Sequence, residues 1–387
     1  MDFRLSKEDE AFRGEVRAFL RKHLPSDWDP WSPEGDSGAP DVDTRMRRAL
    51  VEQGWMTLAW PREYGGQAAS HLRQLVFNEE MSYHGAPGRD RQGLNLVGPC
   101  LIVHGSTAQK IEHLPKIARG ETLWCQGFSE PGAGSDLASL QTKAERRGGE
   151  YVINGQKIWT SYAQRAQWMH MLARTDAEAP KHKGITYFLL DMKTPGVEVR
   201  PLINMTGRRG FNQVFFTDVR VPISNVVGEP NRGWYVATTT LDFERSSINF
   251  SAQLRRLLDD VFRHMRKGGG SAAPLTPIAR ARLADLYTMV QVGRNLSYHV
   301  AWMQSRGLVP NMEASMSKLF STEAHQRVTR GLLDILGLYG IVNSGARTQF
   351  EGRLVQLYMG SVSMTIGGGT SEIQRNVLAT RGLGLPR

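Results

Sequence analysis

The sequence predicts a mostly α-helical protein with a central β domain, and two switches of apolar period predict it. A helical period runs through about residues 1–120, strand-like segments fill about 121–231, and long helical faces return from about 232 to 387. The order is therefore a helical N-terminal domain, an antiparallel sheet or barrel, and a C-terminal helical bundle. This is not an alternating βαβ pattern, which argues against a Rossmann dinucleotide fold. A dinucleotide fingerprint needs a strand before it and a helix after it within such a pattern, so "PGAGSD" at 131–136 is not read as one.

The elements follow in order. Ser6 can cap a first helix whose Phe12, Val16, Phe19 and Leu20 share one face. "PSDWDPWSPEGDSGAP" is too rich in Pro, Gly and Asp to continue it. Helical patterns resume over Leu72–Met81 and Gln109–Ile117. "EYVINGQKIW", "GITYFLLDM", "GVEVRPL" and "FNQVFFTDVRV" are β-branched or aromatic runs divided by turn residues, and read as strands. In the last zone Leu283, Leu286, Tyr287, Val290, Gly293 and Leu296 form one face, and Met316, Leu319, Phe320, Ala324, Val328, Leu332 and Leu336 another. Long helices with short breaks suggest an antiparallel bundle.

Composition narrows the function. Hydrophobic content of 40% and charged content of 22% are those of a globular protein. The net charge of +10 is spread along the chain without an interleaved aromatic and basic stripe, which argues against nucleic acid. No apolar run reaches transmembrane length and the N-terminus lacks a signal core, so a cytoplasmic protein is expected. The two cysteines, Cys100 and Cys125, form no CxxC pair, and no metal site is expected.

Five segments carry a resemblance. "FSEPGAGSD" (128–136), "INGQKIWTS" (153–161), "VRVPISNVVGE" (219–229), "LDFER" (241–245) and "GGGTSEIQRN" (367–376) resemble the acyl-CoA dehydrogenase family in order and spacing, over essentially the whole chain. The resemblance implies an N-terminal helical domain (1–120), a central β-barrel (121–231) and a C-terminal four-helix bundle (232–387). It also implies FAD, an acyl-CoA substrate and an electron-transfer flavoprotein as acceptor. The family reaction is α,β-desaturation of a thioester, in fatty acid β-oxidation or steroid side-chain breakdown. It needs a base for the α proton, an acceptor for the β hydride and donors for the thioester oxygen.

Many members place the base as a glutamate in Y-E-G-T before the last helix, where this chain has Gly368. A subgroup resembling isovaleryl-CoA dehydrogenase and actinobacterial steroid enzymes carries it in an E-R pair on the first bundle helix, here Glu244-Arg245. By resemblance Glu244 is the base and Arg245 orients it. The N–H of Gly368 holds the thioester oxygen, and loss of a side chain there leaves room for a bulkier acyl group. Gly369, Thr370 and Glu372 match FAD contacts at the start of a helix. Phe128, Ser129, Trp159 and Ser161 match residues along the flavin, and Ser135 one near the CoA pantetheine.

The chain also departs from the family. Homotetrameric members carry R-x-x-F-G after the first bundle helix, absent from 261–280 here, and a Gln where this chain has Asp334. Both normally meet a neighbour's FAD diphosphate. The pattern resembles subunits of heterotetrameric steroid-type enzymes, unless Arg263, Arg266 or Arg280 serves the diphosphate. Two other readings are an acyl-CoA oxidase or flavin monooxygenase on this fold, and a subunit that only completes a partner's FAD site.

Overall fold

The computed structural model describes residues 4–31, 40–243, 247–266, 276–345 and 348–386. In chain order its helices are α1 (Lys7–His23), α2 (Pro40–Glu52), α3 (His71–Tyr83), α4 (Gly98–His104), α5 (Thr107–Ala118), α6 (Gly233–Phe243), α7 (Ile248–Arg266), α8 (Pro277–Ser305), α9 (Asn311–Leu336), α10 (Arg353–Met364) and α11 (Ser371–Val377). Its strands are β1 (Trp124–Gly127), β2 (Lys143–Arg147), β3 (Glu150–Ser161), β4 (Trp168–Arg174), β5 (Ile185–Asp191), β6 (Val197–Leu202), β7 (Phe211–Pro222) and β8 (Val226–Val227). The chain forms two compact units, one comprising Met1–Met46, Ala69–Pro87 and Arg245–Arg387, the other Arg47–Ala68 and Gly88–Glu244.

The first unit is helical. Ser6 caps α1 by accepting the Asp9 N–H at 3.0 Å, with acids in the first turn and bases in the last, as the helix dipole favours. Phe12, Val16, Phe19 and Leu20 are its buried residues, as the periodicity predicts. Leu254, Leu257 and Leu258 of α7, Leu283, Leu286 and Val290 of α8, and Val328 and Leu332 of α9 build one apolar core, closed by Leu354 of α10.

The predicted α8 face is buried at Leu283, Leu286, Val290 and Gly293, but Tyr287 stays 38% exposed. On α9 the half-buried Met316, Leu319 and Phe320 give way to buried Ser315, Ser317 and Ser321. The reason is close helix approach: a Cβ on Gly293 would lie 2.8 Å from Ser251 Oγ and 3.3 Å from Ser321 Oγ. Only small side chains fit there, and their hydroxyls can bond along the helix, as Ser297 Oγ does to the Gly293 carbonyl at 3.1 Å.

The second unit holds the sheet. Its strands run β6-β7-β3-β2-β4-β5-β8, with β1 on β4. The barrel expectation is corrected here: the sheet is mixed and does not close. β6 and β8 are its ends, and β2 meets β4 through the single pair Lys143↔Arg174. β1 pairs with β4 in parallel, so the expectation of a purely antiparallel sheet fails too. The two halves face each other across a shared core that includes Ile153, Val214 and Val219 on one side and Met169, Met171 and Phe188 on the other. Tyr151 meets Phe188 edge-on at 5.1 Å between ring centroids. β1 and β4 are mostly buried along their length and carry no polar alternation.

Candidate active site

The second unit carries the first group of candidate residues on two adjoining strips. β1 delivers Phe128 and Ser129 just past its end, and β3 delivers Trp159 and Ser161 at its own end. Phe128 is buried, its ring edge-on to His170 at 5.2 Å between centroids. Ser129 is half-buried, and its carbonyl accepts the Ile158 N–H at 2.9 Å. The strips are therefore stitched together.

Trp159 stands apart from sheet-core aromatics. The register of β3 against β7 shifts between Lys157 and Thr160, and Trp159 adopts φ +61°. Its neighbour Thr160 is buried and Trp159 itself is 61% exposed. Its ring touches Phe211 edge-on at 6.2 Å. A bulge that turns a large apolar ring outward is strained, and such strain concentrates at functional sites. Ser161 is half-buried and pairs with Phe211. Ser135 lies in an exposed turn whose next residue, Asp136, pairs with Lys181 at 2.8 Å.

The first unit carries the second group. α10 ends in a turn in which the Gly367 N–H donates to the Ser363 carbonyl at 3.0 Å and the Ser371 N–H to the Thr365 carbonyl at 2.9 Å. Gly368 and Gly369 follow at φ +67° and +86°, a region that favours glycine. The Lys318 ammonium donates to the Gly369 carbonyl at 2.6 Å and to the Met364 carbonyl at 3.3 Å, spanning the turn. Gln374 Nε2 donates to the Gly368 carbonyl at 3.0 Å. A Cβ at Gly368 would find only Lys318 Cε, at 3.9 Å.

Thr370 is the N-cap of α11, its hydroxyl oxygen accepting the Ile373 N–H at 3.2 Å. Glu372 is exposed, and its own N–H with the Thr370 hydroxyl holds its carboxyl below the usual range. An open groove of about 550 Å³ runs beside this turn, lined by Gln326, Arg327, Thr365, Thr370, Glu372 and Arg375 among others.

Glu244 and Arg245 lie outside the described residues. Asp334 pairs with Arg282 at 2.7 Å, both about half exposed. Of the alternative bases, Arg263 is engaged with Asp260 on its own helix.

Two lysines that hold these segments are not marked as such by any motif in the sequence. Lys157 lies inside "INGQKIWTS", and the signal was a lysine at an inward position of a strand. Lys318 is far in sequence from the turn it holds, and no local pattern marks it.

An exposed indole on a rigid sheet suits the face of a planar ring, and a glycine turn beside a polar groove suits the polar arms of a nucleotide. With the helix, sheet, helix order of the chain, these residues suit a flavin cofactor such as FAD. The descriptions "Acyl-CoA dehydrogenase, N-terminal domain", "middle domain" and "C-terminal domain" match residues 6–121, 125–219 and 231–383. The chain therefore belongs to the acyl-CoA dehydrogenase family, whose members dehydrogenate acyl-CoA with FAD.

Acyl-CoA dehydrogenase IpdE1 of Mycobacterium tuberculosis is 38% identical over 386 residues, covering 98% of each chain. Among solved structures, the Tcur3481-Tcur3483 steroid ACAD superposes with TM-score 0.90 at 35% identity, covering 100% of both chains. The ChsE4-ChsE5 complex from Mycobacterium tuberculosis does so with TM-score 0.87 at 32% identity, again over 100% of both. No described helix is long and apolar enough to cross a membrane.

Proposed function

We propose that this acyl-CoA dehydrogenase uses Glu244 as its base, acts on a bulky acyl-CoA of the steroid-derived kind, and works in a heteromeric assembly. The observation that carries the reading is a substitution of place: position 368 is glycine, while Glu244-Arg245 supplies a carboxylate elsewhere. The proposed catalytic residues are Glu244, Arg245 and Gly368.

FAD supplies the acceptor for the β hydride. Glu244 takes the α proton, and Arg245 orients its carboxylate. The Gly368 N–H donates to the thioester oxygen and stabilises the charge that develops there. Gln374 and Lys318 hold the Gly368 and Gly369 carbonyls that follow that N–H, and Lys318 also holds the Met364 carbonyl before it, so the turn is shaped before substrate arrives. Trp159, Phe128, Ser129 and Ser161 would hold the ring system of the cofactor, and Gly369, Thr370 and Glu372 would serve its polar arms. Ser135 would meet the pantetheine. An electron-transfer flavoprotein is the proposed acceptor.

Two observations support a heteromer. Position 334 holds an aspartate occupied by Arg282 at the surface, in place of the Gln that by resemblance meets a neighbour's diphosphate, and R-x-x-F-G is absent from 261–280. Two similar structures are of paired chains by name. The test is a panel of acyl-CoA thioesters with an artificial electron acceptor, with flavin quantified per chain and hydrogen peroxide followed. Bulky thioesters turning over without peroxide support the reading. Preference for short straight chains, or stoichiometric peroxide, overturns it.

A further inference from the structure

The buried pair Glu130–Lys157 has no part in the chemistry above, yet it is built into both strips of the second unit. Lys157 is completely buried on β3. Its ammonium donates to Glu130 Oε1 at 2.7 Å and to the Phe128 carbonyl at 3.0 Å. The Glu130 carboxylate also accepts the backbone N–H groups of Gln141 at 2.6 Å and Thr142 at 2.9 Å. The next residue, Ile158, donates its N–H to the Ser129 carbonyl at 2.9 Å. Two consecutive residues of β3 thus tie down residues 128–130, immediately before the bulge at Trp159.

Stability alone does not account for this pair. Removing two charges from water is costly, and an apolar pair of the same volume is often at least as stable. Burial pulls the Lys157 ammonium down to about 8, against the attraction of Glu130. What the pair does supply is direction. One ammonium bonds the Phe128 carbonyl from β3, and a few residues on the chain is held at φ +61° with an indole facing outward.

We propose that Glu130–Lys157 is a positioning pair for the flavin, locking the Phe128–Ser129 strip to the Trp159 bulge so that both meet the cofactor at a fixed separation. The proposal rests on the family's FAD and on the flavin roles given above to Phe128, Ser129 and Trp159, and is independent of Glu244.

The experiment compares flavinated wild type, Glu130→Gln, and the double variant Glu130→Gln/Lys157→Met, each purified with any partner subunit the wild type requires. The double variant removes both charges without orphaning either. Three readouts are taken: thermal unfolding, FAD dissociation, and circular dichroism of the flavin in the visible region. Glu79→Gln is the control. It alters a buried ionic cluster of the first unit, where Arg294 approaches Glu79 at 2.5 Å.

The control is expected to unfold earlier with unchanged flavin dichroism. The double variant is expected to release FAD about tenfold more readily, equivalent to one lost charge-assisted hydrogen bond. Its flavin dichroism is expected to change. Glu130→Gln leaves the buried Lys157 ammonium without its carboxylate, so it changes the same signal at least as much and unfolds earlier, and the double variant reports even where Glu130→Gln folds poorly. Wild-type dichroism and FAD affinity in Glu130→Gln or in the double variant overturn the proposal. So does a dichroism change of equal size in the control.

Discussion

Gly368→Ala separates two reasons for the glycine, space and backbone conformation. A methyl group there would touch nothing nearer than Lys318 Cε at 3.9 Å, so steric clash is not the issue. The backbone is: φ is +67°, where an L-residue costs about 1–2 kcal/mol. The turn has little freedom to relax, since Lys318 holds the Gly369 carbonyl at 2.6 Å and Gln374 the Gly368 carbonyl at 3.0 Å. The strain should therefore appear as lost stability, lowering Tm by about 2–8 °C, at about 2–4 °C per kcal/mol for domains of 150–250 residues. Any relaxation would turn the residue 368 N–H away from the thioester oxygen it is proposed to hold. Loss of one such donor lowers kcat by about 10²–10³-fold. The assay is thermal unfolding beside turnover with an artificial acceptor. Gly368→Glu carries the same strain and adds a carboxylate, so it should not gain activity on short straight-chain thioesters. Wild-type Tm together with wild-type kcat/KM in Gly368→Ala would refute the reasoning, because the turn would then tolerate a side chain without cost.

Three further outcomes are expected. Lys318→Met frees the Met364 and Gly369 carbonyls, so kcat should fall more than KM rises, and an unchanged kcat would contradict a role in holding the turn. His170 and His325 are buried, and burial holds them neutral, with pKa values pulled down to about 3 and about 4. The unfolded chain binds these protons near pH 6.5, so stability is present above that pH and is lost as pH falls towards 4. The slope is up to about 1.4 kcal/mol per pH unit for each histidine. His170→Phe should flatten that slope in urea unfolding between pH 6.5 and 4, and an unaltered slope would exclude His170 as a source. The assembly should hold about half as many flavins as chains when a related partner is present, by the pairing argued from Asp334. A stable homomer with one FAD per chain, measured by absorbance and light scattering, would reject it.

Much of the architecture was legible because it rests on local period. Ser6 and the four apolar residues of α1 predicted both the cap and the buried face. β3, β5, β6 and β7 were visible as runs between turn residues. β1 and β4 were not, since a short buried run such as Trp168–Arg174 has no alternation to distinguish it. Sheet closure was not legible either, because it depends on whether β6 and β8 meet across the sequence, and no local signal reports that. The bundle face failed on α9, at Ser315, Ser317 and Ser321, because small polar residues are buried there for their size, Ser321 beside Gly293. The candidate site was legible where motifs carry it, at Trp159 and at Gly367–Thr370. The residues that hold those motifs in place were not, because Lys318 and Glu130 act over long separations in sequence. The positive φ of Trp159, which turns its ring outward, is a tertiary outcome of the β3–β7 register shift.

The central claim is that Glu244 removes the α proton. Its most direct test mixes purified flavoprotein with an accepted acyl-CoA in the absence of oxygen and follows bleaching of the flavin. Glu244→Gln keeps the shape and removes the proton acceptor. The account predicts that the variant binds FAD as wild type does and reduces it about 10²–10⁴-fold more slowly. Flavin reduction at near wild-type rate in Glu244→Gln would contradict it, and would place the base on another residue.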